Sequence, residues 1–366
     1  MKIFTEYTDI RPSYDMRDIS PLGEMLLFDI ETTGLKKETT QIYLIGCGSF
    51  DEDGRYVVKQ WLTESASDER EVLDAFADFA RRYKTLVHFN GDGFDIPYTS
   101  YKAWYYGMDL DFSGFKSVDI YKRIKPYKKF LGLERMNQTS IEAFLKVERE
   151  DKMNGGLLIP YYYEYEKTGD EECEKLLLLH NSDDVKGMIQ LAGVLAYADI
   201  FEGKYSFTNV SYTQDAVIME YELKAPVPRS VTADYPHITV CADKSLLQIT
   251  ADIYSGNALI PVKNVQDYYY LPLEDRIIHK DVAAFVNKKY RKKATAKNCF
   301  LKKEGRFVAA PFLKASTDRL DMSDISGNLM IPDEKGKLRP CIELDELLSS
   351  DEHFMEKLAE GILTAL

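Results

Sequence analysis

The spacing of hydrophobic and polar residues changes its period several times along the chain, and each period predicts a different element. An apolar run within residues 26–35 ends in a glycine turn, and two further apolar runs follow over 41–48 and 56–62, which is typical of strands. Residues 51–54 are acidic and end in a glycine, as expected of a hairpin between the second and third runs. These runs predict an antiparallel meander.

After this meander, helical and strand periods alternate up to about residue 200. The pattern predicts a helix from Ser67 or Asp68 to about Tyr83, a strand over 85–90, a helix from Asp95 to about Gly107, a strand over 117–121, a short helix over 139–147, a helix beginning in the tyrosine cluster at 161–165, and a long helix over 171–197. Residues 1–23 are polar and contain Pro12 and Pro21, so we expect an irregular lead-in. A loop is expected at 149–156.

The pattern changes after about residue 205, where short alternating segments are separated by turn residues. Strands are predicted over 216–219, 237–241, 246–254 and 268–271, with Gly256-Asn257 as a turn, and an amphipathic helix is predicted over 351–366. We therefore expect two domains. Residues 1–200 would form an α/β domain, and residues 205–366 a β-rich α+β domain.

The composition is that of a globular protein without membrane segments. The sequence has 366 residues, of which 45% are hydrophobic, enough for at least one large core. No apolar run is long enough to cross a bilayer, and the N-terminus lacks the charged-then-apolar layout of a signal peptide. A cytoplasmic location without a membrane partner is therefore expected. The five cysteines are scattered, which argues against a zinc site and a disulfide framework.

Two carboxylates on the first predicted strand point to metal chemistry. Asp29 and Glu31 are one residue apart, so a strand directs both to the same face. Their repulsion is relieved by a hard divalent cation, and oxygen ligands suit Mg²⁺ or Mn²⁺. An edge strand with a polar outer face is the alternative. Asp95, at a predicted helix start, is open to two interpretations in the same way, as a helix N-cap or as a metal ligand.

His180 and Asp184 lie four residues apart on the last predicted helix, so they share a face. The pair suits a catalytic site in which imidazole and carboxylate act together. On the spacing alone, an ordinary interaction between helix neighbours is the favoured interpretation.

Asp29, Glu31, Asp95 and Asp184, in this order and on these elements, resemble the DEDD (DnaQ-like) superfamily of 3′-to-5′ exonucleases. The strings around them match as well: Phe28 to Leu35, His88-Phe89-Asn90-Gly91 with Phe94 to Tyr98, and His180 to Val185. The resemblance is strongest to the predicted ribonuclease H-like exonuclease family of uncharacterised bacterial proteins, which also has the Arg149-Glu150-Asp151 and Gly155-Gly156 strings. It covers residues 24–197.

The resemblance implies a ribonuclease H-like mixed sheet flanked by helices, and a two-metal hydrolysis of phosphodiester bonds. Two Mg²⁺ or Mn²⁺ ions would be held by Asp29, Glu31, Asp95 and Asp184, with His180 positioning the nucleophile. Asn90 and Phe94 would shape the pocket for the terminal nucleotide. His180 departs from the family pattern, which has a tyrosine four residues before the last aspartate or a histidine five residues before it.

Two basic segments are candidates for contact with nucleic acid. Residues 121–130 interleave cations with aromatics, including Tyr127 and Lys128, and would bind single strands by stacking and phosphate contacts. Residues 276–314 carry many cations and few acids, with Lys289, Arg291 and Lys292 near the centre and Lys314 at the end. A solvated loop and a solvated face are the alternatives. The net charge of -13 argues against a general duplex-coating protein.

The sequence therefore predicts a divalent-metal-dependent 3′-to-5′ exonuclease acting on nucleic acid, with single-stranded 3′ ends as the expected substrate. The alternative is a nucleic-acid-binding protein whose nuclease site has lapsed, which the unusual position of His180 suggests. A further possibility is that the second domain binds a protein partner.

Overall fold

The computed structural model describes residues 1–151, 153, 155–310, 329–333 and 335–366. The chain divides into two compact units. The first unit comprises Met1–Asp199 with Ala225–Arg229, and the second comprises Ile200–Lys224 with Ser230–Leu366. Among the described helices, none has both the length and the apolar character needed to cross a bilayer.

Up to residue 201, four strands are followed by alternating helices and strands and then by a run of helices. They are β1 (Lys2–Thr8), β2 (Met25–Thr32), β3 (Ile42–Phe50), β4 (Tyr56–Leu62), α1 (Glu69–Ala80), β5 (Thr85–His88), α2 (Asp95–Tyr105), β6 (Lys116–Asp119), α3 (Ile120–Ile124), α4 (Gln138–Leu145), α5 (Gly155–Thr168), α6 (Glu171–Leu191) and α7 (Leu195–Phe201).

The first unit is built on one mixed sheet with the strand order β1-β4-β3-β2-β5-β6. The predicted meander of β2, β3 and β4 is confirmed, because these strands pair antiparallel, while β5 and β6 run parallel to β2. All nine residues of β3 are buried, as expected of a central strand covered on both faces. On one face Phe28 stacks on Phe76 of α1 at 4.9 Å, and on the other Tyr43 stacks on Tyr162 of α5 at 4.4 Å.

Three predictions for this unit are wrong in detail. The lead-in is not irregular throughout, since β1 pairs along its whole length with β4 and forms the sheet edge. Most of its side chains stay exposed, so its burial pattern is weak. The helix predicted from the tyrosine cluster begins earlier, at Gly155, in place of the expected loop. The helix predicted over 171–197 ends at Leu191, and a 3₁₀ turn separates it from α7.

From residue 205 onwards the chain is β-rich. The elements are β7 (Tyr205–Tyr212), β8 (Ala216–Tyr235), β9 (Ile238–Pro261), β10 (Tyr268–Leu271), β11 (Arg276–His279), α8 (Lys280–Ala283), β12 (Lys292–Lys293), β13 (Phe300–Ala309), β14 (Met330–Pro332), β15 (Leu338–Glu343), α9 (Leu344–Leu348) and α10 (Glu352–Ala365).

Two sheets organise these strands, one of six strands and one made of β11, β10 and β12. In the larger sheet β9, β13, β15 and β14 pair in a ring. The turn predicted at Gly256-Asn257 is wrong, because both residues lie inside β9, where Gly256 pairs with Gly305. The separate strands predicted over 237–241 and 246–254 belong mostly to this one long strand. The C-terminal helix and the predicted fold class are confirmed.

Candidate active site

A cleft of about 520 Å³ opens near the carboxyl ends of β2 and β5. Its lining includes all five residues for which the sequence predicts a catalytic role, namely Asp29, Glu31, Asp95, His180 and Asp184. It also includes two of the residues predicted to bind substrate, Asn90 and Phe94. The fold thus brings together residues that are up to 155 positions apart, from Asp29 to Asp184.

Asp29 is held by a chain of amides that runs across the sheet. Asn181 of α6 donates its Nδ2–H to Asp29 Oδ2 at 2.9 Å, and Gln60 of β4 donates to Asn181 Oδ1 at 2.9 Å. Gly46 of β3 makes this approach possible, since a Cβ there would lie 2.0 Å from Asn181 Oδ1. The orientation of the Asp29 carboxylate therefore depends on a close contact between α6 and β3.

Asp95 is not the N-cap of α2. The cap position is Phe94, and Asp95 is the first helical residue. Its Oδ1 accepts a hydrogen bond from the Ile30 N–H of β2 at 3.2 Å, which ties the helix start to the strand that carries Asp29 and Glu31. The structure therefore places Asp95 towards the other carboxylates of the cleft.

The electrostatics of the cleft are those of crowded, buried acids. Burial, followed by the neighbouring Asp95, raises the pKa of Asp29 well above its ordinary value. Burial and then Asp184 do the same to the pKa of Glu31. Burial also raises the pKa of Asp95 to about 7, although the Ile30 N–H acts in the opposite direction. Without a cation, this site favours protonated acids.

The donor set fits a hard divalent cation. Glu31, His180 and Asp184 each place one potential ligand atom within 4.8 Å of the others. Carboxylate oxygens are the ligands that Mg²⁺ and Mn²⁺ prefer, and a cation would offset both the burial and the mutual repulsion that raise the pKa values. This part of the cleft is a candidate metal site.

We expect the stability of the metal-free protein to depend on this crowding. An acid whose pKa rises on folding stabilises the folded state fully below its unfolded pKa, and the contribution is lost as the pH rises through the folded value. For Asp95 this window runs from 3.8 to about 7. Thermal denaturation with Mg²⁺ or chelator should therefore show a larger rise in Tm from Mg²⁺ at about pH 8 than at about pH 5.

Asp95→Asn should reduce this difference, because the amide does not titrate. An exposed acid of the hairpin before β4 offers a control, and Asp53→Asn should leave the difference unchanged. Equal effects of Mg²⁺ at both pH values would contradict the prediction.

His180 is a buried residue among acids. Its Nδ1 lies 2.5 Å from Asp151 Oδ2, while its Nε2 lies 3.6 Å from Glu31 Oε1 and 3.4 Å from Asp184 Oδ2. Nε2 of the ring thus faces the cleft, while Nδ1 contacts Asp151 on the other side of the ring. An ordinary surface pair of helix neighbours would not account for this burial or for the contact with Asp151.

Two residues of the site were missed by the predictions, Asp151 and Arg149. Arg149 lies 2.7 Å from Asp184 Oδ1 and 3.0 Å from Glu142 Oε2. Burial alone would lower the pKa of Arg149, but Asp184 and Glu142 raise it well above its ordinary value. The only signal in the sequence was the Arg149-Glu150-Asp151 string, which has no periodicity from which a role could be assigned.

Asn90 has a left-handed backbone with φ of 62°, a conformation that asparagine tolerates better than most residues. Its N–H donates to Asp119 Oδ1 at 3.0 Å, and its carbonyl accepts from the Gly93 N–H at 2.9 Å. Asp119 also accepts from the Lys122 N–H at 3.2 Å, which makes it the N-cap of α3. These bonds fix the loop that presents Asn90 and Phe94 to the cleft.

The basic segment after β6 contributes less to the cleft than predicted. Tyr121 lines the cleft, whereas Tyr127 and Lys128 are not among the lining residues of the described chain. Tyr127 is half-buried, Lys128 is exposed, and Phe130 is buried in the fold. Stacking on a base is therefore open to Tyr121, and the roles of Tyr127 and Lys128 stay predictions.

In the second unit, the basic patch is smaller than the sequence suggests because folding brings acids to some of its cations. Lys280 pairs with Asp267, Arg276 with Glu274, Lys302 with Asp275, and Lys303 with Glu343. Lys314 lies outside the described residues. Arg291 lies over the Tyr269 ring at 4.8 Å and Lys289 over Tyr290 at 4.6 Å.

Within the described part of the patch, the cations without an ion pair to any described residue form a sequence cluster that we call the 288–297 cations: Lys288, Lys289, Arg291, Lys292, Lys293 and Lys297. All of the lysines in it are exposed. Among the described residues of the predicted patch, this cluster is the part whose charges are open to a polyanion.

Comparison with known proteins gives one family match. Residues 26–196 match the model of the RNase_H superfamily. No curated protein is significantly similar to the chain in sequence.

Among solved structures, similar chains include exonuclease I in its apo form, with 11% identity over 53% of this chain and 55% of that chain, and a TM-score of 0.32. E. coli exonuclease I in complex with a dA16 oligonucleotide has 11% identity over 53% and 54%, and a TM-score of 0.33. E. coli exonuclease I in complex with a dT13 oligonucleotide has 8% identity over 77% and 65%, and a TM-score of 0.33. The chain spans just over half the length of the first two.

Proposed function

Because residues 26–196 match the model of the RNase_H superfamily, we propose that the first unit is a metal-dependent 3′-to-5′ exonuclease that hydrolyses phosphodiester bonds. The observation that carries the proposal is the cleft in which Asp29, Glu31, Asp95 and Asp184 meet beside His180. A structural role alone would not favour so many buried acids, because their mutual repulsion destabilises the fold.

Asp29, Glu31, Asp95 and Asp184 would hold two divalent ions, Mg²⁺ or Mn²⁺. When bound, such a pair supplies a water of lowered pKa and charge stabilisation for the leaving oxygen. The contribution of the chain is to hold these carboxylates in a fixed array, as the hydrogen bonds from Asn181 to Asp29 and from Ile30 to Asp95 do.

The remaining cleft residues would bind and orient the substrate. The Phe94 and Tyr121 rings line the cleft and offer faces on which a terminal base can stack. Asn90 offers an amide for hydrogen bonding, on a loop that Asp119 holds in place. Nε2 of His180 faces Glu31 and Asp184, where it would orient the attacking water and accept its proton. Stacking on unpaired bases favours single-stranded 3′ ends as substrate.

The direct test is a digest of single-stranded DNA and RNA carrying a label at the 5′ end, with Mg²⁺, Mn²⁺ or chelator. We expect products that shorten progressively from the 3′ end and an absolute need for the metal. Circular single strands serve as the matched substrate without ends and should stay intact. Absence of hydrolysis with either metal, or cleavage of the circles, would overturn the assignment.

A second candidate function is nucleic-acid binding without hydrolysis. One observation favours it, the 2.7 Å contact of Arg149 with Asp184 Oδ1, because this cation compensates the charge of an acid that would otherwise attract a metal ion. The two functions differ in a simple measurement. A binding protein would retain single strands in a filter-binding assay and release them unchanged in length when Mn²⁺ is present.

For the 288–297 cations we propose contact with phosphates, so that they contribute to substrate affinity more than to turnover. Neutralising Lys288, Lys289, Lys292 and Lys293 together as Gln should raise KM and leave kcat nearly unchanged. Because each phosphate contact on a single strand contributes about 0.7 to the salt slope, the slope of log K against log salt should fall by up to about 3.

The matched control uses lysines of the same unit that are already paired with acids. Replacing Lys280, Lys302 and Lys303 with Gln should change the salt slope less, because their charges are compensated in the fold. If the first variant binds single strands as the parent does, the second unit has another partner, and a protein becomes the better candidate.

A further inference from the structure

Asp151 is not one of the four carboxylates of the proposed metal site, yet it makes the shortest contact to His180. Its Oδ2 lies 2.5 Å from His180 Nδ1, and both side chains are buried. The opposite ring nitrogen, Nε2, faces Glu31 and Asp184 at 3.6 and 3.4 Å. The imidazole therefore lies between one acid that holds it and two acids that belong to the cleft.

The backbone that carries Asp151 is itself anchored to α6. The N–H groups of Glu150 and Asp151 both donate to Asp183 Oδ2, at 2.9 and 2.8 Å. The Met153 N–H donates to Asp151 Oδ1 at 2.9 Å, so each carboxylate oxygen has a partner. Asp183 is three residues from His180 on the same helix, and one turn of α6 thus fixes both the imidazole and the loop that contacts it.

We propose that Asp151 is a positioning residue for His180: it accepts the Nδ1–H hydrogen bond, holds the ring plane, and leaves Nε2 as the unprotonated nitrogen that faces the cleft. This inference rests on the proposed hydrolysis for its functional meaning. The geometry that supports it, a buried carboxylate on one ring nitrogen and the acidic cleft on the other, exists without any substrate.

The charge of Asp151 matters because an ionised carboxylate can only accept hydrogen bonds. It therefore selects the tautomer with the proton on Nδ1. Although burial opposes ionisation, the hydrogen bonds from His180 and Met153 keep the pKa of Asp151 below its ordinary value. An amide at this position could donate to Nδ1 instead, which would move the ring proton to Nε2 and remove the acceptor from the cleft.

In the proposed reaction, a water molecule loses one proton to Nε2 as its oxygen bonds to phosphorus. The bond between phosphorus and the 3′ oxygen of the preceding nucleotide breaks with its electron pair. This oxygen takes a proton from solvent, and the imidazolium returns its proton to solvent, so a nucleoside 5′-monophosphate and a shortened strand are produced. Only an imidazole with a free Nε2 lone pair can take part in this way.

The first experiment measures the tautomer directly in the metal-free full chain by ¹⁵N NMR of labelled histidine. The sequence has five histidines, and the His180→Gln spectrum identifies the His180 signals by their loss. At about pH 8, where an ordinary imidazole is neutral, we expect the Nδ1–H form in the parent and loss of this preference in Asp151→Asn. An Nε2–H form or a doubly protonated ring in the parent would overturn the proposal.

The second experiment compares kcat and KM for Asp151→Asn and Asp151→Glu. We expect Asp151→Asn to lower kcat by about 10²-fold with KM within about twofold of the parent, and Asp151→Glu to recover part of kcat, because it keeps the acceptor charge. The matched control is Asp252→Asn, since Asp252 pairs with His237 Nδ1 at 3.1 Å at the surface of the second unit. This control should leave kcat unchanged.

An Asp151→Asn variant with parental kcat would overturn the proposal. If Asp151→Asn fails to fold, Asp151→Glu and the parent tautomer decide the question. If the parent chain has no hydrolytic activity, the proposed function fails, while the NMR measurement still tests whether Asp151 sets the tautomer of His180.

Discussion

Asp29→Asn is expected to abolish hydrolysis and to leave the fold intact. Loss of a carboxylate from a proposed metal pair forfeits several kcal/mol of transition-state stabilisation, which corresponds to about 10³-fold or more in kcat. The fold should tolerate the change because the Asn oxygen can still accept the Asn181 hydrogen bond. Steady-state hydrolysis of a labelled single strand, together with thermal denaturation in chelator, measures both parts.

The metal-free Asp29→Asn variant should have a Tm equal to or above that of the parent, because the substitution removes an acid whose pKa is raised by burial and then by the neighbouring acids. Asp53→Asn, on the exposed hairpin before β4, controls for the change in net charge. Parental activity in Asp29→Asn would remove the basis for the proposed active site.

Asp184→Asn should abolish hydrolysis as well, but with a different effect on stability. Asp184 forms an ion pair with the half-buried guanidinium of Arg149. After the substitution, Glu142 would be the acid that lies nearest to this guanidinium. We therefore expect a lower Tm for Asp184→Asn than for Asp29→Asn in chelator. A Tm of Asp184→Asn in chelator that equals or exceeds that of Asp29→Asn would contradict this expectation.

His180→Ala is expected to lower kcat by about 10²-fold or more, the usual contribution of a positioned acid-base group. His180→Tyr should keep more activity than His180→Ala, because a hydroxyl four residues before the last aspartate is the arrangement that the resembling family uses. The comparison requires kcat and KM for both variants on the same single-stranded substrate.

The structure limits how much activity the tyrosine can restore. Gly155 at the start of α5 is so close that a Cβ there would lie 3.3 Å from His180 Nε2, so a larger ring requires a shift of this helix start. We therefore expect His180→Tyr to remain below the parent. If both variants keep parental kcat, His180 has a structural role only, while the four carboxylates stay candidates.

The sequence predicted the main elements of the first unit because their patterns are local. In β2 the two-residue period places Asp29 and Glu31 on one face whatever the strand packs against. β1 was missed for the opposite reason, since an edge strand with exposed side chains has little hydrophobic pattern, and its pairing with β4 is what defines it. The position of α5 was likewise decided by packing, with Tyr162 stacked on Tyr43.

In the second unit, the predicted basic patch shows that the acids near a cation in sequence do not reveal whether its charge is compensated in the fold. Lys302 and Lys303 looked uncompensated, but their acidic partners, Asp275 and Glu343, lie 27 and 40 residues away. Glu343 reaches Lys303 through the pairing of β13 with β15, whereas Asp275 lies in the turn between β10 and β11, so the compensation depends on tertiary contacts. Among the described residues of the patch, the 288–297 cations retain the character that the sequence suggested.

By itself, the sequence determined the strand meander, because periodicity depends on the local backbone. The resemblance of short strings to a known family indicated the five residues expected in the site. Tertiary structure alone decided that Asp151 holds His180, that Arg149 contacts Asp184, and that Asp95 binds the Ile30 N–H in place of capping its helix. Hydrogen bonds and ion pairs between distant residues form only where packing brings their atoms within about 3 Å, and no local pattern encodes that distance.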